Sequence, residues 1–283
     1  MVVGASYSVP LDAAICCPVV DLEIPDALRD AAAELPPIYA DPVRYDVLAQ
    51  MTAPADLPFY RALVERHGGP VLELGCGTGR VTLELARQGV DVVGVELSPD
   101  MLGFAQQKAD HEGLDVTLAL GDLRRFDLGR TFPLVLLPYN TLNHLLDVDS
   151  LRRCFATVQR HMDASSRFVI DTFQPSLAFL GADPERRRPI LRYLDPYTQE
   201  EVRLLEENHY EPATQKNRIV WSYTIGGRED AHVEELTMRL FFPAELEALL
   251  ELSGFAVEAR YGDYDERPFD SRSPKQLIVC RVA

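Results

Sequence analysis

Glycines at 75, 77 and 79 stand two apart in VLELGCGTGR, directly after an apolar run. Glycine lets the main chain turn tightly and lets a ligand touch the backbone. A helix opening behind such a loop points its N–H groups at the ligand, which favours a negative group. Glu96 follows Gly79 by 17 residues and ends a second apolar run, where an acid can accept from the hydroxyls of a ribose. His144 lies just after a fourth apolar run, where ligands bind in open parallel sheets. An unperturbed histidine titrates at roughly 6.5 and can take a proton near neutrality. The chemistry on offer is nucleoside binding beside a candidate base.

The elements that must hold these residues follow from periodicity. PVLEL (70–74), VDVVGVE (90–96), DVTLALGD (115–122), PLVLLPYN (133–140) and RFVIDTF (167–173) read as strands. Helices between them end at Gly89, start at the Ser98 cap with Pro99 in the first turn, and cover 149–162. Strands alternating with helices predict an α/β core with a parallel sheet and right-handed crossovers. After Phe173 the rhythm changes. EVRLLEENHYEP, NRIVWSYTI and HVEELTMRLFF read as three successive strands separated by turns, hence an antiparallel lobe. A helix and two strands follow. The predicted organisation is an N-terminal arm (1–24), a helical lid (25–66), a core (67–173), the inserted lobe (174–241) and a closing segment (242–283).

Composition excludes several classes. Asp and Glu number 44 against 28 Lys and Arg, a formal charge of −16, which is the wrong sign for a nucleic-acid surface. The run ERRR at 185–188 reads as a solvated loop. Five cysteines at 16, 17, 76, 154 and 280 have no zinc spacing and are odd in number, so free thiols and no metal are expected. The first basic residue is Arg29, no signal peptide is read, and no apolar run reaches a membrane span of roughly 18 residues. A cytoplasmic protein with no membrane or nucleic-acid partner is expected.

The dinucleotide fingerprint G-x-G-x-x-G fails, because its third glycine falls on Arg80 or Thr82. The stretch E-x-G-C-G-T-G, led by Glu73, instead resembles the class I S-adenosylmethionine (SAM) dependent methyltransferases over 70–173 and again over 242–282. YNTLNHL (139–145), FVIDTFQPS (168–176), YGDYDERPF (261–269) and DPVRYDVL (41–48) further resemble bacterial small-molecule enzymes of this class, including amino-sugar and glycine-type N-methyltransferases. The resemblance implies a Rossmann-like, mainly parallel seven-stranded sheet of order 3-2-1-4-5-7-6, with a small antiparallel β lobe inserted after strand 5. It implies SAM as donor and S-adenosylhomocysteine (SAH) as product, with no metal.

The site residues are carried over from the same resemblance. Glu73, Gly75, Cys76, Gly77, Thr78 and Gly79 would hold the methionine moiety, and Glu96 the ribose. Leu97, Met101, Gly121, Asp122 and Leu123 would lie around the adenine, with Pro138 after the fourth strand and Tyr45 closing from the lid. His144 is the candidate base, with Tyr139 beside it. Asn140, Tyr264, Asp265 and Arg267 are candidate contacts to a small-molecule acceptor. The [DNS]-P-P-[YFW] motif of nucleic-acid and amide methylating enzymes is replaced by Leu137, Pro138, Tyr139 and Asn140. An amine acceptor is the leading reading. An O- or C-methyltransferase, or a SAM-binding protein without turnover, remains the alternative. The lobe is expected to cover the acceptor or to pair two subunits.

Overall fold

The computed structural model describes residues 26–52 and 55–283. The expected arm at 1–24 lies outside them. Five short strands form the parallel core: β1 (Val71–Leu74), β2 (Val92–Glu96), β3 (Thr117–Leu120), β4 (Leu134–Leu137) and β5 (Arg167–Phe173). Four strands follow: β6 (Arg188–Leu194), β7 (Glu201–Glu211), β8 (Lys216–Ile225) and β9 (Arg228–Arg239). Then come β10 (Phe255–Tyr261) and β11 (Lys275–Val282). The main sheet runs β10-β11-β5-β4-β1-β2-β3, with β11 antiparallel to both neighbours. With β10 and β11 counted as its sixth and seventh strands, this is the expected order. The lobe is a separate antiparallel sheet, β6-β7-β8-β9.

The helices are α1 (Asp26–Ala33), α2 (Pro42–Thr52), α3 (Leu57–His67), α4 (Arg80–Arg87), α5 (Pro99–Glu112), α6 (Val148–Arg160), α7 (Leu177–Leu180) and α8 (Pro243–Leu252). Short 3-10 turns occupy Pro37–Ala40 and Thr141–His144. Ser98 caps α5 through Met101 N, and Asp147 caps α6 through Ser150 N.

Strand alternation divides the core between the two faces of the sheet. Leu72, Leu74, Val135 and Leu137 meet Leu151, Phe155 and Val158 of α6 and Leu246 and Leu250 of α8. Val71, Leu134 and Leu136 face Phe59, Tyr60 and Leu63 of α3 and Val81 and Leu85 of α4. Each such side chain removed from water contributes roughly 1.5–3 kcal/mol.

Two expectations change. The segment 25–66 is not one lid, because α3 packs into the core and only α1, α2 and the Pro37–Ala40 turn lie outside it. The lobe has four strands, not three. RPILRYL forms β6 as an edge strand with Pro189 at a register break, so it shows neither the alternation nor the burial that marks a strand in sequence. Part of the basic run is nevertheless solvated: Arg187 is exposed and pairs with Glu207 and Asp230. Among the described residues no helix is long and apolar enough to cross a membrane.

Candidate functional site

A cavity of about 1220 Å³ opens at the carboxyl ends of the parallel strands, between the core, the Pro37–Ala40 turn with α2, and the lobe. The glycine loop forms its floor. Gly75 and Gly77 have φ of +69° and +55°, a region that side chains avoid. A Cβ on Gly75 would lie 2.5 Å from Thr141 Cγ2, whereas one on Gly77 would face the Tyr45 ring at 3.7 Å across otherwise open space. Bare backbone is therefore presented to the cavity at Gly77.

Glu96 ties this loop to the next helix. Its Oε2 accepts from Gly77 N (2.9 Å), and its Oε1 from Leu97 N (2.9 Å) and Ser98 N (2.8 Å). Burial raises its carboxyl above the usual range, while those three N–H groups pull it back. Oε2 carries a single donor, so lone pairs remain for hydroxyls from the cavity side. A ribose fits this arrangement. Asp122 lies farther along, gripped by Arg124 through Nε (2.9 Å) and Nη2 (2.8 Å). Burial would raise Asp122, but Arg124 holds it below the usual carboxylate range.

Of the carried-over residues, the cavity wall brings together Tyr45, Gly75, Gly77, Glu96, Leu97 and Met101. It also includes Asp122, Leu123, Tyr139, Asn140 and His144. Others stand behind it. Glu73 is buried with Thr82 Oγ1 donating to it, and burial pushes its carboxyl up to about 8. Cys76 is buried, and Thr78 turns away to donate to Asp46 (2.6 Å). Gly79 starts α4, Gly121 N pairs with Glu96 O at the sheet edge, and Pro138 O accepts from Thr141. The loop at 262–270 does not reach the cavity. Arg267 pairs with Asp263 and Asp265, and Tyr264 points inward to Asp171. Tyr264, Asp265 and Arg267 are therefore not placed to touch an acceptor in this cavity.

His144 also differs from the expectation of a base near 6.5. Its Nε2 is hydrogen-bonded to Tyr39 Oη (2.9 Å), and burial pushes the ring down to about 4. It is neutral at neutral pH.

The sequence reading missed a cluster beneath Tyr139. Asp171, fully buried on β5, accepts from Tyr60 Oη (2.8 Å), Tyr264 Oη (2.8 Å), Lys275 Nζ (2.9 Å) and Tyr139 N (3.1 Å). The signal was available as an acid inside the apolar run FVIDTF. Tyr139 itself has φ +50° and lies between the Arg80 guanidinium (5.3 Å) and the Lys275 ammonium (5.5 Å). Thr52 Oγ1 donates to Leu48 O, so the Tyr139 hydroxyl, 2.5 Å away, is the donor to Thr52. Asn140, at φ +64°, accepts from Phe173 N (2.9 Å). The lobe face of the cavity was missed as well. Glu206, Asn208, Asn217 and Trp221 line it.

Comparison with known proteins agrees with this geometry. Residues 71–164 match the methyltransferase domain family. The chain is 28% identical over 195 residues to the dTDP-3-amino-3,4,6-trideoxy-alpha-D-glucopyranose N,N-dimethyltransferase of Streptomyces venezuelae, covering 66% of this chain and 76% of that one. A Geobacillus relative, 29% identical, is matched over 36% of this chain and 41% of its own length. The solved structure of the CcbJ methyltransferase from Streptomyces caelestis superposes with a TM-score of 0.72 at 26% identity, over 90% of this chain and 95% of that one. The loop, the acid after it, the strand order and these matches are those of a SAM-dependent methyltransferase, whose domain lies at residues 71–164.

Proposed function

We propose that the chain transfers a methyl group from SAM to an amine nitrogen of a small molecule, releasing SAH. When bound, SAM supplies an electrophilic methyl on a sulfonium. In this reading Gly75 and Gly77 contact the methionine moiety, Glu96 the ribose and Asp122 the adenine edge. Tyr39 and Tyr45 exclude water from above. The α1–α2 segment and the lobe close over the acceptor, and Ile190, Leu194 and Val233, exposed on the lobe's outer side, are the surface through which two copies would pair.

The observation that carries nitrogen over oxygen is His144. An alcohol must lose its proton as it is methylated, and a ring with a pKa of about 4 is a weak base for that. A neutral amine already offers a lone pair and needs only to be oriented, and a neutral His144 can accept or donate one hydrogen bond for that purpose. The amino-sugar N,N-dimethyltransferases among the relatives support the same reading. The test is SAH release with panels of amines, phenols and carboxylates. Turnover confined to phenols or carboxylates would refute nitrogen as the acceptor.

Two further outcomes are expected. The acid limb of kcat/KM should follow the pKa of the amine across a substrate series, because His144 stays unprotonated until about pH 4. A limb fixed near pH 6.5 for every amine, and lost in His144→Ala, would restore the histidine as a titrating base. Glu96→Ala should weaken SAM binding by roughly 1–3 kcal/mol, through lost charge-assisted hydrogen bonds and a loosened loop. Calorimetry with SAM and SAH measures this, and an unchanged affinity in the folded variant would place the ribose elsewhere.

A further inference from the structure

The lobe wall of the cavity contains a hydrogen-bond relay with a fixed direction. Glu206 on β7 accepts from Trp221 Nε1 (2.9 Å) and from Asn208 Nδ2 (2.7 Å). An ionised carboxylate only accepts, so Asn208 must turn its NH₂ toward it and its Oδ1 away. That Oδ1 takes the NH₂ of Asn217 (2.7 Å). Asn217 is 3% exposed, and its own Oδ1 has no partner among the described residues. The relay therefore ends on an unsatisfied acceptor in a residue that lines the cavity. Cross-strand pairing puts Glu206 beside Trp221 and Tyr210 beside Asn217, so the relay runs along one face of the lobe sheet.

Charge on the wall is equally one-sided. Six carboxylates line it: Glu34, Glu96, Asp122, Asp147, Glu206 and Glu235. Among the described residues Arg124 is the only lysine or arginine on the wall, and it grips Asp122. Asp147 caps α6, Glu235 pairs with Arg218, Glu96 holds the loop, and Glu34 lies within electrostatic reach of Arg124. Glu206 is different. It is half-buried and its hydrogen-bond partners are both neutral. Arg188 stands opposite it on β6 but lays its guanidinium over the Phe179 ring (4.3 Å), and among the described residues no lysine or arginine makes an ion pair with Glu206.

We infer that this wall is a subsite for a cationic, hydrogen-bond-donating acceptor that bears no phosphate. The amine arrives as an ammonium against Glu206 and the Trp221 ring and gives one proton to that carboxylate, which leaves the neutral nitrogen that is methylated, and a donor on the same molecule satisfies Asn217 Oδ1. A nucleoside diphosphate conjugate is disfavoured because a pyrophosphate would meet unpaired carboxylate and amide oxygens, with the guanidinium already committed. The acceptor class is thus a free, hydroxylated amine. The inference rests on the reading that the acceptor shares this cavity with the cofactor.

Trp221 is the sole tryptophan of the chain, so its emission reports occupancy of the subsite directly. The full chain, loaded with SAH, is titrated with glucosamine, with N-acetylglucosamine and with thymidine diphosphate. Glucosamine should shift the emission saturably. Removing its charge by acetylation should weaken binding roughly tenfold or more, and thymidine diphosphate should bind more weakly still. Glu206→Gln keeps the shape and should lose the preference for glucosamine, with SAH affinity unchanged. Glu206→Asp keeps the charge and should retain most of it. A flat titration with glucosamine, equal binding of the acetylated sugar, tighter binding of thymidine diphosphate, or an unaltered preference in Glu206→Gln overturns the inference. SAH release with the amine panel separates the two readings. Amine methylation that ignores Glu206 sinks only the subsite, whereas Glu206-dependent cation binding with turnover confined to phenols or carboxylates sinks only the assignment of nitrogen.

Discussion

Asp171→Ala should lower the unfolding free energy by roughly 3–5 kcal/mol, the usual cost of removing one partner from a buried ion pair. The carboxylate is fully buried and gathers two tyrosine hydroxyls, an ammonium and a backbone N–H. Alanine leaves all four donors without their acceptor in a space closed to water, and the Lys275 side chain is only 15% exposed. Burial, the largest cause of the raised Tyr60 and Tyr264 hydroxyls, persists without the carboxylate, so neither offsets the loss by ionising. Asp171→Asn keeps the shape and should cost less. Urea titration reads the effect as a lower midpoint at constant slope. A loss below about 1 kcal/mol would mean that water enters the cluster and satisfies the orphaned groups. Turnover should fall as well, because the same carboxylate fixes the backbone of Tyr139 at the cavity wall.

Gly77→Val should abolish measurable SAM binding, a loss above about 3 kcal/mol or more than a hundredfold in Kd. Two effects combine. The backbone at φ +55° is unfavourable for any side chain by roughly 1–2 kcal/mol, which appears as lost stability. The branched side chain then occupies the open space between the loop and the Tyr45 ring, where a ligand would touch the main chain. Gly77→Ala should fall between wild type and valine. Calorimetry measures the affinity, and circular dichroism checks that each variant is folded. Full SAM affinity in a folded valine variant would show that the cofactor does not use this loop.

These two residues illustrate what the sequence displays and what it conceals. The glycine loop is a local device: its residues are contiguous, its geometry needs glycine, and the acid that completes it lies one helix and one strand away. Gly75, Gly77 and Glu96 could therefore be placed before any fold was known. The parallel strands were equally legible, since strands buried on both faces show as unbroken apolar runs such as VLLP and VVGV. Asp171 was visible as an oddity in FVIDTF, but its partners come from α3, the 262–270 loop and β11, and no spacing connects them. The relay from Asn217 to Glu206 depends on the register of β7 against β8, which alternation alone does not set. Strand β6 was lost because a proline and two arginines mask its pattern. The loop at 262–270 failed in the opposite direction, because a polar sequence that suggested ligand contact serves internal ion pairs.

Helix α2 has a consequence of its own. Asp46 on its inner side accepts from Thr78 of the glycine loop (2.6 Å) and from Lys108 of α5 (2.8 Å). From the same helix Arg44 reaches Asp195 of the lobe (3.0 Å), and Tyr197 of the lobe donates to Asp41 just before it (2.8 Å). Leu48 and Ile38 share an apolar cluster with Tyr193, Val202, Leu204 and Tyr223 of the lobe. One short helix is thus fastened both to the glycine loop that floors the cavity and to the lobe that walls it. If a ligand on the glycine loop displaces α2, the lobe must follow through these contacts, and thermodynamic reciprocity then fixes the size of the effect. Whatever factor by which SAM tightens the acceptor, the acceptor tightens SAM by the same factor.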